Sequence, residues 1–142
     1  MVDVHGMIPN VLGSTCEALI KQEYWYQGKR TADVHILFLK IKDGKWQRFF
    51  FDCGTLCWKE VDAVDVFDSK MWEPSPDDYR FPQVDIGHQH GLIKQVIEQV
   101  NLIQLPSSQW PELHIRFSSG VVLVLRDFCE HQSLEFKQST RD

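Results

Sequence analysis

The chain has 142 residues, a length typical of one domain, and its 43% hydrophobic and 25% charged residues favour a folded globular protein over a disordered one. Its net charge of −5 argues against nucleic-acid binding, which depends on Lys and Arg contacts to phosphates. No apolar stretch reaches the roughly 18–20 residues that cross a bilayer, and residues 1–6 lack the pattern of an export signal, so we expect a cytoplasmic protein that does not bind membranes.

The first patterned segment has apolar residues at helical spacing, at Val11, Leu12, Cys16, Leu19 and Ile20. This spacing predicts a short helix, with Asn10 or Ser14 as its N-cap, leading into a strand at 23–27. If the helix is wrong, a longer strand takes its place.

A three-stranded meander is predicted next. Two β-rich runs, 34–41 and 46–51, flank the Asp43-Gly44 pair, which is typical of a hairpin because glycine supplies a positive φ. After a second break at Gly54, residues 55–61 form the third predicted strand.

An acidic connector, residues 62–90, separates this meander from the second half of the chain. Between residues 60 and 85 there are eight acidic residues and two basic ones, so the rest of the chain is nearly neutral. Residues 73–78 include Pro74 and Pro76, which predict a loop.

The second half repeats the plan of the first. Apolar residues from Leu92 to Val100 predict a helix leading into a strand at 101–105, followed by strands at 112–117, 121–126 and 131–136. The predicted fold is α+β and mainly antiparallel β: two similar three- to four-stranded meanders, each preceded by a short helix. We expect one domain, 1–142, and the two halves, 11–61 and 91–137, are consistent either with an internal duplication or with the shared physics of hairpins.

Candidate catalytic and metal-binding groups are sparse. The one combination that suggests zinc is Cys53 and Cys57 with His88 and His90, but a thiol between Leu56 and a tryptophan is more typical of a core position. No nucleophile elbow, phosphate-binding glycine loop or zinc-protease helix is present in the sequence. We therefore expect no enzyme activity, no cofactor and no metal. We also expect Cys16, Cys53, Cys57 and Cys129 to be free thiols, as is usual in the cytoplasm.

Residues 44–58 read Gly-Lys-Trp-Gln-Arg-Phe-Phe-Phe-Asp-Cys-Gly-Thr-Leu-Cys-Trp. This aromatic strand, Asp-x-Gly turn and following tryptophan resemble a pattern in small bacterial immunity proteins encoded beside polymorphic toxins, including contact-dependent growth-inhibition toxins. The resemblance implies a compact cytoplasmic protein without catalytic residues that binds the C-terminal domain of its cognate toxin and blocks it.

The charge distribution favours the same interpretation. A toxin that attacks nucleic acid, a nuclease for example, has a basic surface, which an acidic patch on an inhibitor can cover. Trp72 stands inside the acidic connector, where a tryptophan either folds back on the core or contacts a partner. The second interpretation makes it a candidate anchor, since tryptophan is enriched at interface hot spots. The predicted partner-binding residues are Asp65, Asp68, Trp72, Glu73, Asp77, Asp78 and Tyr79. The alternative is a small-molecule-binding or regulatory β-domain that uses the aromatic sheet face as a pocket.

Overall fold

The computed structural model describes residues 2–66, 78–106 and 110–139, and it is mostly β, with 63% of residues in strands and 5% in helices. The strands, numbered in chain order, are β1 (Asp3–Gly6), β2 (Cys16–Tyr26), β3 (Lys29–Ile41), β4 (Trp46–Asp52), β5 (Thr55–Val61), β6 (Tyr79–Arg80), β7 (Gln83–Val84), β8 (Ile97–Gln104), β9 (Pro111–Phe117), β10 (Val121–Asp127) and β11 (Gln132–Gln138). The helices of the described residues, α1 (Ala63–Val66) and α2 (Ile86–Gln89), have four residues each. None of the helices in these ranges is long and apolar enough to cross a membrane.

The predicted α+β class, with a helix before each meander, is therefore wrong. Strand β2 begins inside the first predicted helix, and turns and a single bridge lead into β8 where the second was expected. The helical spacing arises from β-bulges. A register shift between Cys16 and Ala18 allows Cys16 and Leu19, three residues apart, both to be buried in the core. A similar register shift follows Ile97 in β8.

The strands of the two predicted meanders are all present, as β3–β5 and β9–β11. Gly54 and Gly120 both have a φ of 90° in their turns. In the Asp43-Gly44 turn the positive φ, 58°, is at Asp43 and not at Gly44, so the expectation that glycine supplies it there is wrong. Alternation and turn chemistry thus identified these six strands correctly.

The strands form a curled, mixed sheet with the order β1-β5-β4-β3-β11-β10-β9-β8, and β2 pairs with β3, β6 and β7. The pairing of β1 with β5 is parallel, while the other named pairings are antiparallel. The first meander joins the second where Val34 of β3 pairs with Gln132 of β11. Backbone hydrogen bonds between residues 13–16 and 95–97 also tie the start of β2 to the start of β8.

Both meanders contribute to one hydrophobic core. Phe49 and Trp58 stack at 4.3 Å between ring centroids, and they share the core with Leu113 and Phe117 of β9. The indole N–H of Trp58 donates a hydrogen bond to Gln47 Oε1 (2.9 Å), so its polar atom is satisfied inside the core. Whether the two halves arose by duplication stays a prediction.

The three adjacent phenylalanines of β4 separate as strand alternation requires. Phe49 and Phe51 are buried in the shared core, while Phe50 lies on the outer face and is half-buried. Phe50 packs there against a second apolar cluster, formed by Ile36, Phe38, Trp46, Val61 and Val66. The first meander therefore has apolar side chains on both faces.

Candidate functional site

The sequence places the binding surface in the acidic connector, of which the structure describes residues 62–66 and 78–90. The backbone of Asp65 lies in α1. Four of the predicted partner-binding residues lie outside the described residues: Asp68, Trp72, Glu73 and Asp77. The predicted anchor and most of its acidic surroundings therefore stay predictions.

The remaining predicted residues, Asp78 and Tyr79, lie where the connector pairs with the edge of β2. The Gln27 N–H donates a hydrogen bond to the Asp78 carbonyl oxygen (3.1 Å), and Tyr79 pairs with Tyr26. The Asp78 carboxylate lies 3.9 Å from Nε of Arg80, so these two charges largely offset each other. This end of the connector is thus an added strand on the sheet, and it carries Tyr79 onto the face of β2.

Five rings form a continuous surface there, which we call the aromatic strip: Tyr24, Tyr26, His35, Tyr79 and Phe81. Ring centroids are 4.9 Å apart for Tyr26 and Tyr79, and 5.8 Å apart for Tyr79 and Tyr24. They are 5.4 Å apart for Tyr24 and Phe81, and 5.7 Å apart for Phe81 and His35. All these distances lie in the favourable range for ring pairs, roughly 4.5–7 Å. Tyr26 remains 38% exposed at the end of the strip.

The strip leads into a cavity of about 320 Å³, the seam cavity, which lies where the two meanders meet. Its lining residues include Tyr24, His35, Phe50, Asp52, Glu130 and His131. Asp52 and Glu130 are exposed carboxylates, and the lining contains no Lys or Arg. On the far side, His131 stacks on Phe128 at 5.0 Å, and Phe128 is 43% exposed.

The Gln132 side chain fixes one wall of the seam cavity because it links β11 to β3 and β4. Its Oε1 accepts a hydrogen bond from the Phe51 N–H (2.6 Å), and its Nε2 donates to the His35 carbonyl oxygen (3.0 Å). A buried amide that satisfies two backbone groups fixes their separation, because leaving either group unpaired is costly.

Asp127 and a disulfide make a second connection between the meanders. The buried Asp127 carboxylate accepts hydrogen bonds from the N–H groups of Gly54 (2.5 Å) and Cys129 (2.8 Å). Cys53 and Cys129, both at positive φ in their turns, form a disulfide across the same junction. The expectation of four free thiols is therefore wrong for this pair, whose members are 76 residues apart in sequence and meet only through the fold.

Cys16 and Cys57 are free thiols, as predicted. Burial raises the pKa of Cys16 to about 12, so this thiol stays protonated. Burial and the nearby Asp52 carboxylate also raise the pKa of Cys57. Neither cysteine has the lowered pKa that activates a thiol nucleophile.

Burial lowers the pKa of His35 in the strip. The ring is therefore neutral at pH 7, and the formal charge of the cavity comes from Asp52 and Glu130. Burial also raises the pKa of Tyr24, with Tyr79 and Tyr26 acting in the same direction. The strip and the seam cavity thus combine neutral rings with two negative charges.

Three of the four candidate zinc residues have other interactions. Cys53 is in the disulfide, and His88 Nδ1 lies 2.6 Å from the Asp85 carboxylate that caps α2. His90 stacks on Phe136 at 3.7 Å between ring centroids. Across residues 2–66, 78–106 and 110–139, no three His, Cys, Asp or Glu side chains are grouped closely enough to hold a metal ion.

Comparison of the chain with protein-family models, with curated proteins and with solved structures gives no match.

Sequence reasoning did not identify the strip or the seam cavity. A signal was present in the alternating aromatics of Tyr24-Trp25-Tyr26 and Tyr79-Arg80-Phe81, which place rings on one face of two strands. The sequence has no comparable signal that Asp52 and Glu130 line one cavity, because these residues meet only through the pairing of β3 with β11.

Proposed function

We propose that this protein is a non-catalytic binding protein that recognises a basic protein partner through the aromatic strip and the seam cavity. The observation that carries the proposal is the run of partly exposed rings ending at a cavity with two carboxylates and no Lys or Arg in its lining. Tyrosine is enriched at interface hot spots because it gives a large contact area with little rotamer entropy to lose.

The seam cavity suits a Lys or Arg side chain of the partner. The cation would lie near Asp52 and Glu130 while its aliphatic part packs on Tyr24 and Phe50. A cavity of about 320 Å³ is large enough for one such side chain. Complementary charge of this kind speeds encounter and selects the partner more than it adds affinity.

More narrowly, we propose an immunity protein whose partner is the C-terminal domain of a cognate bacterial toxin with nuclease activity. Support comes from the resemblance of residues 44–58 to immunity proteins and from the acidic connector. A nuclease domain with a basic substrate surface would supply the cation that the seam cavity suits.

The first test is co-purification with the C-terminal domain of a toxin encoded beside this gene, with affinities measured by calorimetry. Tyr79→Ala should weaken binding by about 2 kcal/mol or more, as expected of a hot-spot tyrosine. Reversal of the cavity charge, in Asp52→Lys with Glu130→Lys, should slow association and reduce its salt dependence. In cells, the same variants should protect less well against the toxin.

Leu12→Ala is the control for Tyr79→Ala, since Leu12 is 55% exposed and lies outside the strip. Glu60→Lys controls for charge reversal on an exposed carboxylate outside the seam cavity. Unchanged affinity in both the strip and the cavity variants would refute this interface. Replacing Trp72 together with Asp77 and Asp78 then tests the connector separately.

A small-molecule-binding or regulatory domain is the second candidate, favoured by the volume of the seam cavity, which is near the lower end for ligand pockets, roughly 300–1,000 Å³. A cationic aromatic amine that raises the melting temperature of the wild type, but not of Asp52→Lys with Glu130→Lys, would support it. Toxin binding that survives saturation with that amine would separate the two functions.

A further inference from the structure

A second cavity, of about 260 Å³, lies on the outer face of β1, β4 and β5, and we call it the basic cavity. Each strand contributes one basic side chain to its lining: His5 from β1, Arg48 from β4 and Lys59 from β5. The lining contains no Asp or Glu, although the protein as a whole has a net charge of −5. The local charge is therefore opposite to that of the molecule.

Strand register places two of these charges face to face. Arg48 is directly opposite Lys59 in the antiparallel pairing of β4 with β5, and like charges at such positions destabilise a sheet. Within the described ranges, neither side chain forms an ion pair with a carboxylate. Glu60 and Asp62 lie beside Lys59 in the lining of a neighbouring cavity, but neither is within ion-pair distance of it.

Arg48 also has an unused donor. Its Nε is shielded from water and has no hydrogen-bond partner, which is costly for a charged group. The guanidinium carbon lies 5.9 Å from the centroid of the Phe50 ring, which also lines the basic cavity. An anion in this cavity would offset the charges of Arg48 and Lys59 and would lie next to the ring of Phe50.

The backbone of β1 closes one side of the cavity by an approach that only glycine permits. A Cβ added at Gly6 would lie 2.0 Å from the Trp58 carbonyl oxygen, and Gly6 has a φ of 93°. This contact brings β1 against β5 and places His5 opposite Cys57 at the cavity. The cavity is therefore bounded by three paired strands and not by mobile loops.

We propose that the basic cavity binds a small organic phosphate monoester. Its dianionic phosphate would lie between Arg48 and Lys59, because two fixed positive charges match a dianion and guanidinium groups bind phosphate well. Its organic part would pack on Phe50. This site is distinct from the partner-binding surface proposed above, since of the residues named for that surface only Phe50 also lines it.

The test is calorimetric titration of the full chain with phenyl phosphate, benzoate and inorganic phosphate. Phenyl phosphate should bind most tightly, because it alone combines a dianion with a ring. Arg48→Gln and Lys59→Gln should each weaken it by about tenfold or more, the loss expected for a charge-assisted hydrogen bond. Lys42→Gln, which removes the same charge from an exposed turn outside the cavity, should bind within about twofold of the wild type because distant exposed charges are screened.

Thermal unfolding separates loss of the site from loss of the fold. Without ligand, Lys59→Gln should melt no lower than the wild type, because it removes a like-charge contact. Phenyl phosphate should raise the melting temperature of the wild type and of Lys42→Gln, but not of Lys59→Gln. If benzoate binds as tightly as phenyl phosphate, the site does not prefer a dianion. If inorganic phosphate binds as tightly, the organic part does not pack on Phe50. If Arg48→Gln and Lys59→Gln both keep the wild-type affinity, the site is refuted.

Discussion

The two meanders share one core but differ on their outer faces. The outer face of β9–β11 carries an ion-pair ladder: Glu112 lies 2.9 Å from Nε2 of His114 and 3.2 Å from Nε of Arg126, which also pairs with Glu135. The outer face of the first meander instead has apolar Phe38 and the half-buried Phe50. The outer face of β9–β11 thus carries charges that pair with each other, while the outer face of the first meander has rings and cavities that a ligand or partner could contact.

This difference is the reason why we propose binding sites on the first meander and on the strands that pair with it. Paired charges satisfy each other and leave little for a ligand, so the face of β9–β11 is best explained as a solvated surface. The aromatic strip, the basic cavity and most of the seam cavity belong to β1–β6. The second meander acts on them chiefly at the junction, through Asp127, Gln132 and Cys129.

The largest expected effect comes from breaking that junction. The double variant Cys53→Ser with Cys129→Ser should lose about 2–5 kcal/mol of unfolding free energy, because the disulfide closes a long loop in the unfolded chain. Urea denaturation followed by tryptophan fluorescence measures the loss. Reductant should produce the same shift in the wild type.

Cys57→Ser is the matched control for this variant, since Cys57 is a free, half-buried thiol. It should change the unfolding free energy by less than about 1 kcal/mol. If the double variant and its control unfold at the same urea concentration, the disulfide does not hold the meanders together.

The features that the sequence predicts correctly depend on contacts between residues close together in the chain, and those it misses depend on long-range contacts. The strands of both meanders follow from alternation and turn residues such as Gly54 and Gly120, which act over a few residues. The helices were wrong because bulges bring Cys16 and Leu19 onto one side of β2 at a helical interval. Periodicity alone does not distinguish a bulged strand from a short helix.

The junction lay beyond sequence reasoning for a different reason. The hydrogen bonds of Gln132 reach Phe51 and His35, 81 and 97 residues away, and no local pattern encodes such contacts. Of the predicted site, Tyr79 lies in the aromatic strip, but its ring partners come from β2, which the sequence had not associated with the connector.

An intermediate effect should follow acidification, since the half-buried His35 belongs to the first meander. Burial lowers the pKa of His35, so between that pKa and the unfolded value of about 6.5 the unfolded chain binds more protons. The contribution of His35 to stability should thus be full above pH 7 and fall as the pH decreases below 6.5, by at most about 1.4 kcal/mol per pH unit.

Urea titrations at pH 7, 6 and 5 measure this dependence. His35→Gln should flatten it, because the substitution removes the group whose pKa differs between the folded and unfolded chain. An identical slope in the wild type and in His35→Gln would show that the ring is not held neutral by burial.

The smallest expected effect tests whether the ladder on the second meander is more than a set of isolated pairs. A double-mutant cycle with Glu112→Gln and Arg126→Gln should give a coupling of about 0.5–1 kcal/mol, because Arg126 also pairs with Glu135 and Glu112 is largely buried. The matched cycle uses Glu17 of β2 and Lys40 of β3, an isolated and more exposed pair at 2.9 Å, for which about 0.3 kcal/mol is expected. Both cycles are measured by urea denaturation at low and high salt, and the ladder should lose less of its coupling to salt because it is less exposed. Equal coupling in the two cycles would mean that the ladder is no stronger than an isolated surface pair, and the proposal of binding sites on the first meander would then depend on its cavities alone.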